Sequence, residues 1–340
     1  MTTASLGRLT VLAPVPRPTT NFAPIWLVDA LGYAADEGLD YKIELVGTPK
    51  AAADGVISGR GDMTFINVVF SLLARDRGAP FCPFYAFVRT QNRSFTVPHD
   101  SPLRTLGDLR GKTVGLYYDD PELFEFACAA RRGAGLDPTR DVRFITLPGT
   151  PLDATRMAAA VRDREVDAIW QLDVLTGFLA GEGVVVRALP SGLIDPLTPS
   201  SCVEALDQTL AARPDAFGAF GRALAKATLF TITNPAAAIA LMWQRYPDAA
   251  PRPGEDAARA SRRELAALEV RIRGHQIEKA PLPRWGAITV PEISAWQDFL
   301  LSTGAIKQRR PPRDYFSDAL VDAFNAFDPA PIIAAARATA

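Results

Sequence analysis

The side chains able to do chemistry in this chain are of types that recognise rather than break bonds. Thr19, Thr20 and Asn21 form a polar run just ahead of an apolar segment, and Asn67 closes the compact run DMTFIN. Arg89, Gln91, Asn92 and Arg93 follow a second apolar run, and Tyr117, Tyr118, Asp119 and Asp120 precede a helical pattern. Trp170, Gln171 and Asp173 end a third. Hydroxyls, amides and a guanidinium orient polar groups, with Arg89 the best placed of its loop to reach inward. Trp26, Tyr117, Tyr118 and Trp170 offer flat apolar contact. The two carboxylates at 119 and 120 oppose a bare anion and suit an amine, an amidine-like ring edge or a hydroxylated aromatic. Structural roles compete at each place: Asn21 as a helix cap, Trp26 as core, Asp120 as a cap with Asp119 in water, and 91–93 as solvated loop.

Composition removes several classes of function. The 340 residues carry 37 basic against 38 acidic side chains, a net charge of −1, so no bulk field recruits nucleic acid or an anionic membrane. No stretch of about 18 apolar residues is present to span a bilayer. Cys82, Cys128 and Cys202 make no CxxC, and only His99 and His275 could add imidazole, which argues against a zinc or iron–sulfur framework and for small buried thiols. Neither histidine has a nucleophile beside it in sequence, and GxGxxG and GxxxxGK[ST] are absent. No cofactor is expected.

The elements that must position these residues alternate between strand and helix. Leu9–Ala13 reads as a strand, Phe22, Ile25, Trp26, Val28 and Leu31 as one helix face, and Tyr41, Ile43 and Leu45 as a strand again. Asp62–Asn67 and Phe81–Val88 read as strands around a helix over 68–77. Composition shifts at Pro98–Leu109, a candidate crossing into a second α/β unit with strands at 113–118, 142–147, 167–170 and 184–189. From Pro199 the chain returns through Ser201–Ala205 to helices over 214–231, 255–271, 291–303 and 314–327. The expected fold class is α/β, with two mostly parallel sheets, helices on both faces and a two-strand hinge. Residues 1–97 and 199–340 form lobe 1 and 98–198 lobe 2. In such sheets a ligand collects beyond the carboxyl ends of the strands, where the loops at Pro18, Asn67 and Arg89 share an edge.

That order carries a resemblance. The runs NFAPIWLVDALGYAADEGLDYKIELV, GVISGRGDMTFINVVFSLLARDRGAPF and LRTLGDLRGKTVGLY resemble the solute-binding proteins of ABC importers, in the branch of nitrate, sulfonate, taurine and thiamine-pyrimidine binders. The motifs are Gly32-Tyr33, Asp36–Asp40, Ser58–Asp62 and Asp108–Gly115, and TVPEISAWQDFLLSTGAI with RRPPRDYFSDALVDAFN resembles the family's last helices. The resemblance implies a two-lobed, type II periplasmic-binding-protein-like fold. It also implies a small-molecule ligand between lobes, closure over hinge strands near 95–100 and 198–205, a monomer, and an ABC permease as partner if the protein is exported. Ligand contacts fall to Thr19, Thr20, Asn21, Trp26, Asn67, Arg89, Tyr117, Tyr118, Asp119 and Trp170, with a flat, polar, nitrogen-containing ligand as the first choice.

Two enzymes of similar fold set the alternative, a cytoplasmic decarboxylase, desulfinase or pyrimidine synthase acting on a small aromatic acid. The synthase carries a coenzyme-binding lysine four residues after the aspartate matching Asp62 and a histidine four further on, where this chain has Ile66 and Phe70. Of its cysteine cluster only Cys202 remains, and the desulfinase cysteine of the first loop is replaced by Thr19, Thr20 and Asn21. The beginning, MTTASLGRLTVLAP, does not read as a signal peptide, so the expected compartment is extracytoplasmic only if a leader is missing from this chain, and cytoplasmic otherwise.

Overall fold

A computed structural model describes residues 5–116, 121–137, 139–147, 154–251 and 253–339. Ten strands form two five-stranded sheets. The first holds β1 (Gly7–Ala13), β2 (Leu39–Leu45), β3 (Met63–Asn67), β4 (Phe81–Val88) and β10 (Ser201–Leu206), in the order β2-β1-β3-β10-β4. The second holds β5 (Arg93–Pro98), β6 (Lys112–Leu116), β7 (Val142–Thr146), β8 (Ala168–Leu172) and β9 (Val186–Ala188), in the order β7-β6-β8-β5-β9. In each sheet four strands run parallel and one antiparallel, and the antiparallel strand, β10 or β5, is the one that crosses from the other lobe.

Helices follow the strands as βαβ connections require. Lobe 1 uses α1 (Ala23–Ala30), α2 (Tyr33–Asp36), α3 (Pro49–Ile57) and α4 (Val69–Asp76); lobe 2 uses α5 (Pro121–Gly133), α6 (Ala154–Arg162) and α7 (Val174–Gly181). After β10 come α8 (Asp207–Ala212), α9 (Pro214–Thr233), α10 (Pro235–Arg245), α11 (Ala257–His275), α12 (Val290–Ser302), α13 (Val321–Phe324) and α14 (Pro329–Ala338). Starts are marked by local chemistry: Thr48, Asn234, Asp256, Thr289 and Asp328 each accept a backbone N–H of the first turn.

Three expectations shift. The chain crosses at 89–92, because Arg93 already pairs with Leu172 in the second sheet; the polar shift after Pro98 lies inside lobe 2. Residues 199–340 do not belong to lobe 1 alone. Trp296 of α12 packs 5.2 Å from Phe126 of α5, and Arg132 donates to the Thr303 carbonyl at 2.6 Å. On the opposite side α11 lies on α7 so closely that a Cβ at Gly177 would stand 2.7 Å from the Ala267 nitrogen. The helix expected over 314–327 is mostly turn, with the single turn α13, because the chain there hugs the edge strand: Ser317 N donates to Pro83 O at 3.0 Å and Tyr315 and Phe316 are buried.

The core follows from this arrangement. One apolar cluster runs through both lobes, joining Leu12, Ile66 and Phe70 to Phe95, Val114 and Trp170 through Trp296 and Phe299. A second fills the other face of sheet one under α1 and α9, and a third lies under α6 and α7.

Candidate functional site

The carboxyl ends of the parallel strands of both sheets meet at the crossing. Ser201, the first residue of β10, pairs with Asn67 on one side and Val88 on the other. Asn92 Nδ2 donates to Ser201 Oγ at 2.9 Å, and the Asn92 carbonyl accepts from Asp173 N, also at 2.9 Å. A few hydrogen bonds thus tie the end of β3 to the end of β8.

Along this seam lie buried polar atoms that have no hydrogen-bond partner in the protein: Thr19 Oγ1, both amide atoms of Asn21, Asn67 Nδ2, Asn92 Oδ1, Trp170 Nε1, both amide atoms of Gln171 and His275 Nε2. Each such atom costs about 1–3 kcal/mol unless something else satisfies it. Elsewhere among the described residues such atoms include guanidinium nitrogens, as at Arg75 and Arg131, and isolated hydroxyls such as Tyr85 Oη; along the seam neutral donors and acceptors gather where strand ends converge.

Asn21 is not the helix cap. The chain enters α1 through a 3-10 turn over Thr20–Phe22, Phe22 occupies the cap position, and no side chain caps it. Extended, cap-like backbone falls two residues earlier, at Thr19, so the Asn21 amide is left over. Thr20 donates instead to Glu264 of α11. Asn67 uses Oδ1 to hold the Val69 N–H at 3.0 Å and keeps its NH₂ unused.

Other expected contacts sit elsewhere. Trp26 is 0% exposed, donates its indole N–H to Thr19 O at 2.9 Å and packs on Phe65 and Tyr246, so it shores up the loop from beneath rather than stacking in the cleft. Arg89 is spent structurally: Nη1 donates to Ala287 O at 2.6 Å and Nη2 faces Glu292 at 3.4 Å. Trp170 forms part of the lobe 2 core between Phe95 and Phe126, with only its N–H unused. Asn92 and Arg93, which read as solvated loop, are buried. Tyr117, Tyr118, Asp119 and Asp120 lie outside the described residues.

The site also draws on α11, whose inner face carries Ala260, Glu264, Ala267, Leu268, Arg271 and His275. Arg271, fully buried, pairs with Asp173 of lobe 2 at 2.8 Å. Burial pushes the Asp173 carboxyl up, against the pull of Arg271. His275 lies against Phe87, with Nδ1 2.9 Å from the Phe87 carbonyl. A carbonyl only accepts, so Nδ1 carries the proton and Nε2 presents a lone pair. Burial, reinforced by Arg271, pulls this imidazole down to about 3, so it stays neutral. The signal in the sequence was the three- and four-residue spacing of 260, 264, 267, 268, 271 and 275, masked by the arginines between them.

Beside Thr19 and Thr20 opens a pocket of about 410 Å³ with walls from both lobes. Pro18–Thr20 forms one wall, Phe178 and Glu182 of α7 another, and Trp243, Arg263 and Glu264 the rest. The three thiols are buried and burial raises each of them. Among the described residues no group of three or more His, Cys, Asp or Glu is placed to hold a metal ion, and no helix is long and apolar enough to cross a membrane.

A family model described as NMT1/THI5 like matches residues 19–238. The chain is 28% identical over 239 residues to the riboflavin-binding protein RibY of Chloroflexus aurantiacus, covering 68% of this chain and 65% of RibY, just under two thirds of that relative. Among solved structures, the periplasmic aliphatic sulphonate binding protein SsuA of Escherichia coli superposes with a TM-score of 0.64 at 16% identity, over 91% of this chain and 92% of SsuA. The desulfurization enzyme DszB superposes with a TM-score of 0.59 at 15% identity, over 93% and 98%. At such identities these likenesses fix the architecture, which is that of the periplasmic binding proteins.

Proposed function

The chain belongs to the NMT1/THI5-like family, and on that premise we propose that it is a solute-binding protein that captures a small, flat, nitrogen-containing molecule between its lobes and releases it unchanged. The observation that carries this reading is the gathering of neutral, unpartnered amides at Asn21, Asn67, Asn92 and Gln171 with the His275 lone pair. A carboxamide both donates and accepts, and so matches the alternating edge of a heterocycle; a bare anion would ask for donors alone. Riboflavin, the solute named for RibY, has such an edge and is the first probe.

Closure of the lobes, not a covalent step, is the mechanism. Thr19, Thr20 and Asn21 stand in the first loop, where the resemblance to the desulfinases leads one to expect a cysteine, which opposes an enzymatic reading. If the protein is exported, its partner is an ABC-type permease.

The test is a thermal-shift and calorimetric screen with riboflavin, a free aminopyrimidine and an alkanesulfonate, followed by chromatographic recovery. Stabilisation by a heterocycle recovered intact is the expected result. Stabilisation by the sulfonate alone would overturn the ligand class, and conversion to a product would overturn the binding role.

A further inference from the structure

We propose that the pocket beside Thr19 and Thr20 is a second compartment of the cleft, shaped for the uncharged, hydroxyl-bearing arm of a ligand whose ring lies deeper, and that it rejects the same ligand when the arm carries a phosphate. This rests on the reading of the cleft as a heterocycle site and adds a substrate class to it.

The first argument is position. The pocket-lining threonines run directly into Asn21, and the helix that supplies Arg263 and Glu264 to the pocket supplies Arg271 and His275 seven and eleven residues on. At 1.5 Å per residue the step from Glu264 to Arg271 is about 10 Å, the span of a small ring system with an extended arm.

The second is charge. The charged lining residues are Arg17 and Arg263 against Glu182, Glu255 and Glu264, and with Arg259 beside Glu182 the three carboxylates are balanced by three arginines, leaving no surplus of positive charge. Arg263 is already engaged by both Glu255 (2.8 Å) and Glu264 (3.2 Å), and Glu182 by Arg259 (3.2 Å). The Glu182 and Glu264 side chains are only 16% and 14% exposed, so water screens them weakly. A phosphate dianion brought among them is repelled, whereas hydroxyl groups can donate to carboxylate oxygens.

The third is an unmet need. The Thr19 hydroxyl is 94% buried by its residue's 6% exposure, lines this pocket and has no partner. Trp243, another lining residue, has an indole N–H that is buried and unpartnered as well. A donor-and-acceptor group such as an alcohol satisfies both.

Calorimetry on the whole chain with three flavins decides the matter: lumiflavin (the same ring with a methyl in place of the arm), riboflavin (ring with a neutral polyol) and flavin mononucleotide (the same arm phosphorylated). The expected order is riboflavin tightest, with lumiflavin and the mononucleotide each weaker by about tenfold or more. The double substitution Glu182→Gln/Glu264→Gln should bring the riboflavin-to-mononucleotide ratio towards one. If riboflavin and lumiflavin bind equally, the compartment contributes nothing and the proposal falls while the heterocycle site stands. A mononucleotide as tight as riboflavin refutes the charge argument. If no flavin binds, the ligand class and the proposal fall together. The wild-type series is decisive even if the double variant does not fold.

Discussion

Two buried polar regions flank the lobe crossing, and they are built to opposite rules. Behind the crossing, Arg89 meets Ala287 O and Glu292, Glu292 Oε2 accepts from Thr289 N (2.9 Å) and Thr289 Oγ1 (2.7 Å), and Trp296 donates to Pro199 O at 3.0 Å. Only Arg89 Nε in this knot lacks a partner. In front of it, Asn21, Asn67, Asn92, Gln171 and His275 each keep at least one buried atom without one. Saturated polar groups hold a fold in register; unsaturated ones raise its free energy until something else meets them. The knot is therefore fastening, and the floor is where the proposed recognition falls.

Mutation should separate the two. Arg89→Ala strands the Glu292 carboxylate in a place 4% exposed and should cost about 3–5 kcal/mol in urea unfolding, with flavin affinity of the folded fraction unchanged. A loss of affinity without loss of stability would erase the distinction. The acid limb should be nearly as large. His275 is neutral in the fold and titrates near 3 instead of 6.5, so the unfolded chain takes up its proton first as pH falls. The stability it supports is complete above about pH 6.5 and drains away towards about pH 3, by a few kcal/mol. His275→Gln should flatten that limb in pH-dependent denaturation; an unchanged limb would place the imidazole in water.

The floor should respond with the opposite sign. Gln171→Met removes two unpartnered atoms at similar volume and should raise stability by about 1–2 kcal/mol while weakening flavin binding at least tenfold. A destabilised variant would mean that Gln171 serves the fold. The smallest effect is at Glu204, fully buried in β10 with Ser71 as a hydrogen-bond donor, where burial holds the carboxyl well above 4.5. The unfolded chain ionises first as pH rises, so this group weakens the fold from about pH 4.5 upward. Glu204→Gln should gain about 1 kcal/mol or more at pH 7, with the two Tm curves converging below about pH 4.5.

The succession of strands and helices along the chain and the strand ends were legible because their signals are local: alternation at Tyr41–Leu45, a polar stop at Asn67, caps ahead of helices. What misled was any role decided at long range. Arg89 read as an inward-reaching side chain because its partner lies 203 residues away on α12. Asn21 read as a cap because its type fits one, although a 3-10 turn moves the cap to Phe22. The helix expected over 255–271 is rich in arginine and carries no mark in its sequence of the burial of Arg271 or of the way its neighbours close the site. Composition signals exposure only when no second lobe is waiting to cover it.

The glycines of α7 carry one more implication. A side chain at 177 would collide with the backbone of Ala266 and Ala267, and one at 181 would press on the Arg263 side chain, so at Gly177 the two helices touch backbone to backbone with no cushion between them. Any swing of lobe 2 that preserves this seam carries Arg263 and Glu264 along with Phe178 and Glu182. The chamber's far wall then travels as one plate, and its spacing to the threonine loop becomes the single dimension that a closing stroke can tune.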